Sequence, residues 1–206
     1  MASTGGVGSE AQRVLAFWFG PLDPQGRASA SASARWWKKD ATFDEEIRTS
    51  FGGLHAQLAG GECSDWLATP RGRMAYVIVL DQFSRNMFRG SGQSFATDER
   101  ALVAVEEGIA LGHDRALAFD ERGFFYMPFM HSEKLDKQDR AVALFSAWRE
   151  ELQGAEREHV AGMVRYAERH RDIISRFGRF PHRNALLGRA STGEEQAFLA
   201  QPGSSF

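Results

Sequence analysis

The sequence predicts an all-α fold of seven to eight helices arranged as antiparallel hairpins, and three observations predict it. Apolar residues recur at steps of three and four through segment after segment. Capping residues open those segments, and glycine or proline closes them at helix length. The two-residue alternation of a half-buried strand hardly occurs. No repeat period holds at fixed residue types. The reading is one helical domain over 1–206, with 1–8 as a disordered N-terminus, 22–35 as a flexible loop and 202–206 as a C-terminal tail.

The elements follow in order. Ser9-x-x-Gln12 has the form of a capping box that opens a helix through Leu15 and Phe19, closed by Gly20-Pro21. Residues 22–35 (LDPQGRASASASAR) lack bulky apolar groups and read as loop. Thr42-x-x-Glu45 is a second box, starting a helix toward Leu58 that Gly60-Gly61 ends, although Gly52-Gly53 weaken its middle. Thr69 places a capping hydroxyl before Pro70 at the first helical position, and that helix runs to about Phe88. Thr97-Asp98-Glu99 opens the next, which carries Leu102, Val105 and Ile109 and stops at Gly112.

FFYMPFMHSE is a dense aromatic segment interrupted by Pro128. Asp136 begins a helix bearing Ala141, Phe145 and Trp148. A long helix from about Ala155 keeps Val160, Met163, Ala167, His170, Ile174 and Phe177 on one side; Gly178 suits its left-handed end and Pro181 prevents continuation. Ser191-x-x-Glu194 opens a short last helix before Pro202.

Composition bounds the function. The 206 residues are 43% hydrophobic, enough for a sizeable core. Twenty-five basic against 27 acidic side chains, net −2, oppose a chain whose main task is coating nucleic acid. The single cysteine, Cys63, excludes an intramolecular disulfide framework and fits a reducing cytoplasm. The N-terminus lacks a basic region followed by an apolar run, and no stretch has the apolar length of a membrane span. The expectation is a soluble cytoplasmic protein.

The helix 70–89 (PRGRMAYVIVLDQFSRNMFR) carries the strongest single inference. Wound at about 100° per residue, it is apolar on two opposite faces, so it should pass through the core. Asp81 and Arg85 nevertheless lie among the apolar positions, four apart and able to pair, as burial requires of such charges. Gln82 and Asn86 make a second polar step beside them. An ion pair that docks the helix explains one step; two consecutive steps favour a polar cavity.

Two further clusters stand out. His131, Ser132 and Glu133 follow the aromatic run, and a histidine with a carboxylate suits proton transfer. At i, i+2 their side chains diverge on a helix, so pairing needs partners from elsewhere. Neither HExxH nor a cysteine pair is present, and no metal or cofactor is implied. From Arg165 to Arg189 run seven arginines against two acids, a local excess of five positive charges in a chain of −2. Some of them belong on the solvated side of the long helix or at its C-terminal dipole. Arg179, His182, Arg183 and Asn184 come after the helix stop, where turns let side chains converge on a carboxylate or phosphate between Phe177 and Phe180.

AFWFG, WWKKDATFDEEI, LDQFSRNMFRG, FFYMPFMHSE and RFGRFPHRNALLGRASTGEEQAFL together resemble, in that order, the bacterial family called domain of unknown function 924, over about Gln12 to Leu199. The resemblance implies an all-α fold similar to the tetratricopeptide-repeat superfamily, with helix pairs stacked into a curved body. It implies no activity. Its motif positions match at Asp81, Gln82, Arg85, Asn86, His131, Ser132, Glu133, Arg179, Pro181, His182, Arg183 and Asn184, while the Ala/Ser-rich 27–34 loop departs from it.

Two readings follow. In the first, Asp81, Gln82, Arg85, Asn86, Arg179, Arg183 and Asn184 line a pocket for a small anionic molecule, and His131, Glu133 or His182 moves a proton. This reading expects Arg85, His131 and Arg183 to converge in one concave site. In the second, a tetratricopeptide-repeat-like surface takes a protein or peptide segment, with arginines on its carboxylate. Neither membrane nor nucleic acid suits the chain as partner.

Overall fold

The structure is a computed structural model and describes residues 8–204. It is all-α: nine helices are found among the described residues when the continuous rod over 70–87 is counted once, and no strand. An isolated antiparallel bridge joins Leu22 and Ala28. Among the described residues no helix is long and apolar enough to cross a membrane. The expected disorder of residues 1–7 and the last two residues of the tail lie outside the described residues.

The chain divides into two compact units, Met1–Arg89 with Gln93–Pro128, and Gly90–Gly92 with Phe129–Phe206. The first contains α1 (Ser9–Phe19), α2 (Ala30–Trp36), α3 (Ala41–Gly60), the rod made of α4 (Pro70–Val77), a π-helical turn (Ile78–Phe83) and α5 (Ser84–Met87), and α6 (Asp98–Ala110). α7 (Phe119–His131) begins in it. The second contains α8 (Leu135–Glu150), α9 (Gly154–Phe177) and α10 (Gly193–Leu199).

The central rod of the first unit is buried on both sides, as its two apolar faces predict: every residue from Met74 to Phe83 is inaccessible or nearly so. α1, α3 and α6 pack around it with Val14, Leu15, Ile47, Phe51, Leu102 and Val105. Phe83 meets Trp18 edge-on at 5.8 Å and Phe51 at 4.9 Å between ring centroids, so aromatic packing fixes the rod at its polar turn. Thr69 caps the rod as expected, its hydroxyl accepting from the Gly72 N–H at 3.1 Å.

Several helix starts differ from the expected ones. α1 begins at Ser9 itself behind Gly8, without a side-chain cap. α3 is capped by Asp40, not Thr42; its carboxylate accepts from the Thr42 and Phe43 N–H groups. Within 22–35, where composition predicts a loop, Ala30–Trp36 is helical. Ser29 caps it, and the Trp36 indole donates to the Trp18 carbonyl at 2.9 Å, so an aromatic anchor beyond the Ala/Ser run secures that helix. Pro128 does not interrupt α7, which continues to His131. The last helix has its capping box at Thr192 and Glu195, one residue later than Ser191 and Glu194.

In the second unit α8 and α9 form a helical hairpin across a three-residue link. Gly178 ends α9 in the left-handed conformation at φ 68°. Ile173, Ile174 and Phe180 form a core to which Phe177 and Phe198 add, and this holds the segment after α9 against the helix.

Candidate functional site

The predicted Asp81–Arg85 pair forms. Arg85 Nη1 lies 3.1 Å from Asp81 Oδ1, and Asp81 is wholly buried. Sequence gave no sign of the third member, Asp98 at the start of α6. Its two oxygens accept from Arg85 Nη1 and Nη2 at 3.0 and 3.1 Å, a bidentate fork. Burial works against the Arg85 charge, but the two aspartates outweigh it and hold its pKa above the usual range.

The π-turn explains why polar groups gather at this point. Its hydrogen bonds span one residue more than those of an α-helix, so nearby carbonyls are open to side-chain donors. The Leu80 carbonyl accepts from Ser84 Oγ at 2.7 Å and Thr97 Oγ1 at 2.5 Å, and the Asp81 carbonyl accepts from Arg85 at 2.7 Å. Thr97, expected to cap α6 with its hydroxyl, serves the rod instead. His55 Nε2 meets Ser84 Oγ at 2.7 Å. Such a pair has the spacing of a nucleophile and its base. Ser84 is fully buried, however, and its hydroxyl binds a backbone carbonyl, so the pair is structural.

Gln82 and Asn86 turn to different partners. Gln82 Nε2 donates to Asp81 Oδ2 at 2.6 Å. Asn86 Nδ2 donates to Asp44 Oδ1 at 2.7 Å, and Arg89 forks onto the same carboxylate at 2.6 and 2.8 Å. Burial alone would raise the Asp44 pKa; Arg89 and Asn86 reverse that and lower it. Thus the four candidates of the rod are bonded within the protein, and they close a lock between α3, the rod and α6.

The second unit holds the other six. The local excess of arginines is one of sequence, not of space, because carboxylates from outside the window answer it. Arg171 reaches Asp139 at 2.5 Å, Arg176 reaches Glu194 at 2.7 Å, and Arg189 reaches Glu133 at 2.6 Å. Arg179 forks onto Glu195 at 2.7 and 2.8 Å. Its fork, followed by the Thr192 N–H, pulls the Glu195 pKa down to about 2. Arg179 therefore staples α10 to the end of α9.

Glu133 does not stand beside His131 as a free acid or base. Its Oε1 accepts the Phe180 N–H at 2.8 Å, and Arg189 forks onto both oxygens at 2.6 and 2.9 Å. Burial raises its pKa, but Arg189 and the Phe180 N–H outweigh this and keep it ionised. Arg189 Nε donates to Asn184 Oδ1 at 3.0 Å, and Asn184 Nδ2 donates to Ser191 Oγ at 3.0 Å. This chain of bonds fixes the turn after Pro181.

Phe180 is the hub of that turn. Its ring centroid lies 5.8 Å from the His170 ring and 5.5 Å from the His182 ring, and the Arg183 guanidinium carbon lies 4.6 Å from it. His131, His170 and Arg183 are buried, while His182 and Glu133 are half-buried. His170 Nδ1 is 2.8 Å from the Tyr166 carbonyl; a carbonyl only accepts, so the proton sits on Nδ1. Burial first, then the charges of His131, Arg183 and His182, lower its pKa to about 3. His170 was read from sequence as an apolar-side helix residue, and no local signal marks it out: only the turn that brings Phe180 back onto α9 does so.

Arg85 belongs to the first unit, and His131 and Arg183 to the second. Among the described residues no group of three or more His, Cys, Asp or Glu is placed to hold a metal ion.

Comparison with known proteins agrees with the sequence motifs. The model of a bacterial protein family of unknown function, DUF924, matches residues 14–203. No curated protein matches the chain. A solved structure of a protein of unknown function from Agrobacterium tumefaciens is similar at 38% identity and a TM-score of 0.76, covering 93% of this chain and 97% of that one. With its five motifs in order and the family's match along nearly its whole length, the chain belongs to the bacterial DUF924 family.

Proposed function

We propose that the second unit binds a small anionic molecule at the turn around Phe180, with Arg183 and His182 as its cationic partners and His131 and His182 as the groups that exchange a proton with it. The observation that carries this reading is the gathering of His170, His182 and Arg183 about one aromatic ring. An anion there gains charge-assisted bonds in a partly buried setting. Glu133 serves as a positioning residue, holding Phe180 and Arg189. Arg179 and Asn184 support the turn, and Arg85, Asp81, Gln82 and Asn86 belong to the lock of the first unit.

The alternative is a tetratricopeptide-repeat-like scaffold for a protein or peptide segment, for which the α8–α9 hairpin is the supporting feature. A thermal-shift screen of anionic metabolites, run on the natural chain, Arg183→Lys and His182→Ala, separates the two. A small anion that stabilises the natural chain and loses its effect in His182→Ala supports the site. Equal stabilisation of all three chains rejects it, and stabilisation by acidic peptides alone favours the scaffold.

A further inference from the structure

The first unit carries a cleft of which the sequence motifs mark only Gly20, the end of AFWFG. Gly20, Pro21 and Leu22 form one wall, Arg115 to Ala118 another, and Arg71 and Glu121 complete it, around about 580 Å³. That volume is in the range of sites for small organic molecules.

Two features prepare it for an anion. Glu121 is almost inaccessible, and both its oxygens are occupied: Oε1 accepts from Arg71 Nε at 3.2 Å and Oε2 from the Ala118 N–H at 3.1 Å. Arg71 is thus held by Nε alone, with its two terminal nitrogens uncommitted among the described residues and its side chain half exposed. Arg115 is exposed, and its guanidinium meets no partner among the described residues. Two cations therefore line the cleft against one carboxylate that is already satisfied.

The walls are pre-set. Asp120 accepts the Ala28 N–H at 2.7 Å, lies 3.3 Å from Arg27, and donates its own N–H to the Gly26 carbonyl at 3.1 Å. Gly26 has φ +79°, and a Cβ there would lie 2.6 Å from the Phe119 nitrogen, so only glycine lets this loop close on the start of α7. The loop with Pro21 and Leu22 is held before any ligand arrives, which lowers the ordering cost of binding.

We infer that this cleft is a second ligand site, taking a small organic oxyanion — a carboxylate or phosphate on an apolar body — with Arg71 and Arg115 on the charged group and Pro21, Leu22 and Leu117 against the rest. It is independent of the turn around Phe180 and uses none of its residues.

The test is calorimetric titration of the full chain with phenyl phosphate and with inorganic phosphate at low salt, alongside Arg115→Ala and Arg183→Ala. The expected result is saturable binding of phenyl phosphate, stronger than that of inorganic phosphate, weakened roughly tenfold by Arg115→Ala, the loss of about one charge-assisted contact. Arg183→Ala removes the anion partner at the turn around Phe180, so the saturable binding that remains in it belongs to the cleft and should be retained. Because Arg115 is exposed, an unaltered melting temperature in its variant shows that folding is not the cause. Absence of saturable binding overturns the assignment, as does equal affinity of Arg115→Ala. Loss in Arg183→Ala with retention in Arg115→Ala transfers the binding to the other site and equally overturns it.

Discussion

The lock on the central rod and the turn around Phe180 use the same residue types to opposite ends. In the lock, the Arg85 guanidinium meets two carboxylates, Asp81 and Asp98, and the polar side chains beside it close on Asp44 and on freed backbone carbonyls. In the turn, Glu133 is taken up by Arg189 and a backbone N–H, while His182 and Arg183 gather with His170 around the Phe180 ring. A buried charge matched on the spot holds helices together; titratable rings and a guanidinium collected on one aromatic hub suit an external partner. The lesson is that an unusual motif points to polar burial, and the balance of partners decides between a structural and a functional reading.

The first way to break the comparison is to remove one partner of the lock. Arg85→Met leaves Asp81 buried without its guanidinium and should cost about 3–5 kcal/mol in chemical denaturation. The double change Asp81→Leu with Arg85→Met should recover part of that, since the wholly buried carboxylate is then gone and Asp98, nearer the surface, has lost the Arg85 fork.

The turn differs in its response to pH. Unfolded His170 takes up a proton near its ordinary value of 6.5, whereas the folded one resists to about 3. Between those limits unfolding binds a proton, so stability is full above 6.5 and falls as the pH drops. The slope contributed is about 1.4 kcal/mol per pH unit. His170→Phe should remove that slope, which denaturant midpoints measured from pH 7 to 4 would show.

Smaller effects sharpen the contrast. Glu133→Gln weakens the Arg189 fork at a half-exposed position and should cost about 1–2 kcal/mol by denaturant midpoint. Arg171→Ala breaks an exposed pair with Asp139 and should leave the denaturant midpoint nearly unchanged. An Arg171 effect equal to that of Arg85 would erase the difference between matched burial and surface decoration.

Much of the lock was legible in the sequence, because a four-residue spacing on a doubly apolar helix dictates both burial and pairing. The Asp98 fork and the role of Thr97 were not, since they depend on how α6 meets a π-turn, and the widened hydrogen-bond spacing leaves no composition signature. α2 was hidden for a similar reason: Ala and Ser carry little periodicity, and its anchor is the Trp36 indole on the Trp18 carbonyl. The excess of arginine from Arg165 to Arg189 was visible, but its carboxylate partners sit at 133, 139, 194 and 195, outside any local window. His170 joined the candidate residues only through the return of Phe180 onto α9. The cleft beside Arg71 and Arg115 was not legible as a site, as its walls come from three separated stretches of chain and only Gly20 falls in a quoted motif.

The most direct measurement is an NMR titration of the histidine side chains against pH, with and without inorganic phosphate at constant ionic strength. Binding at the turn predicts that phosphate raises the titration midpoint of His182 saturably in the natural chain and much less in Arg183→Ala. A His182 midpoint that does not move with phosphate or with the small anions found by screening would contradict an anion site at this turn and leave it, like the rod, a structural lock.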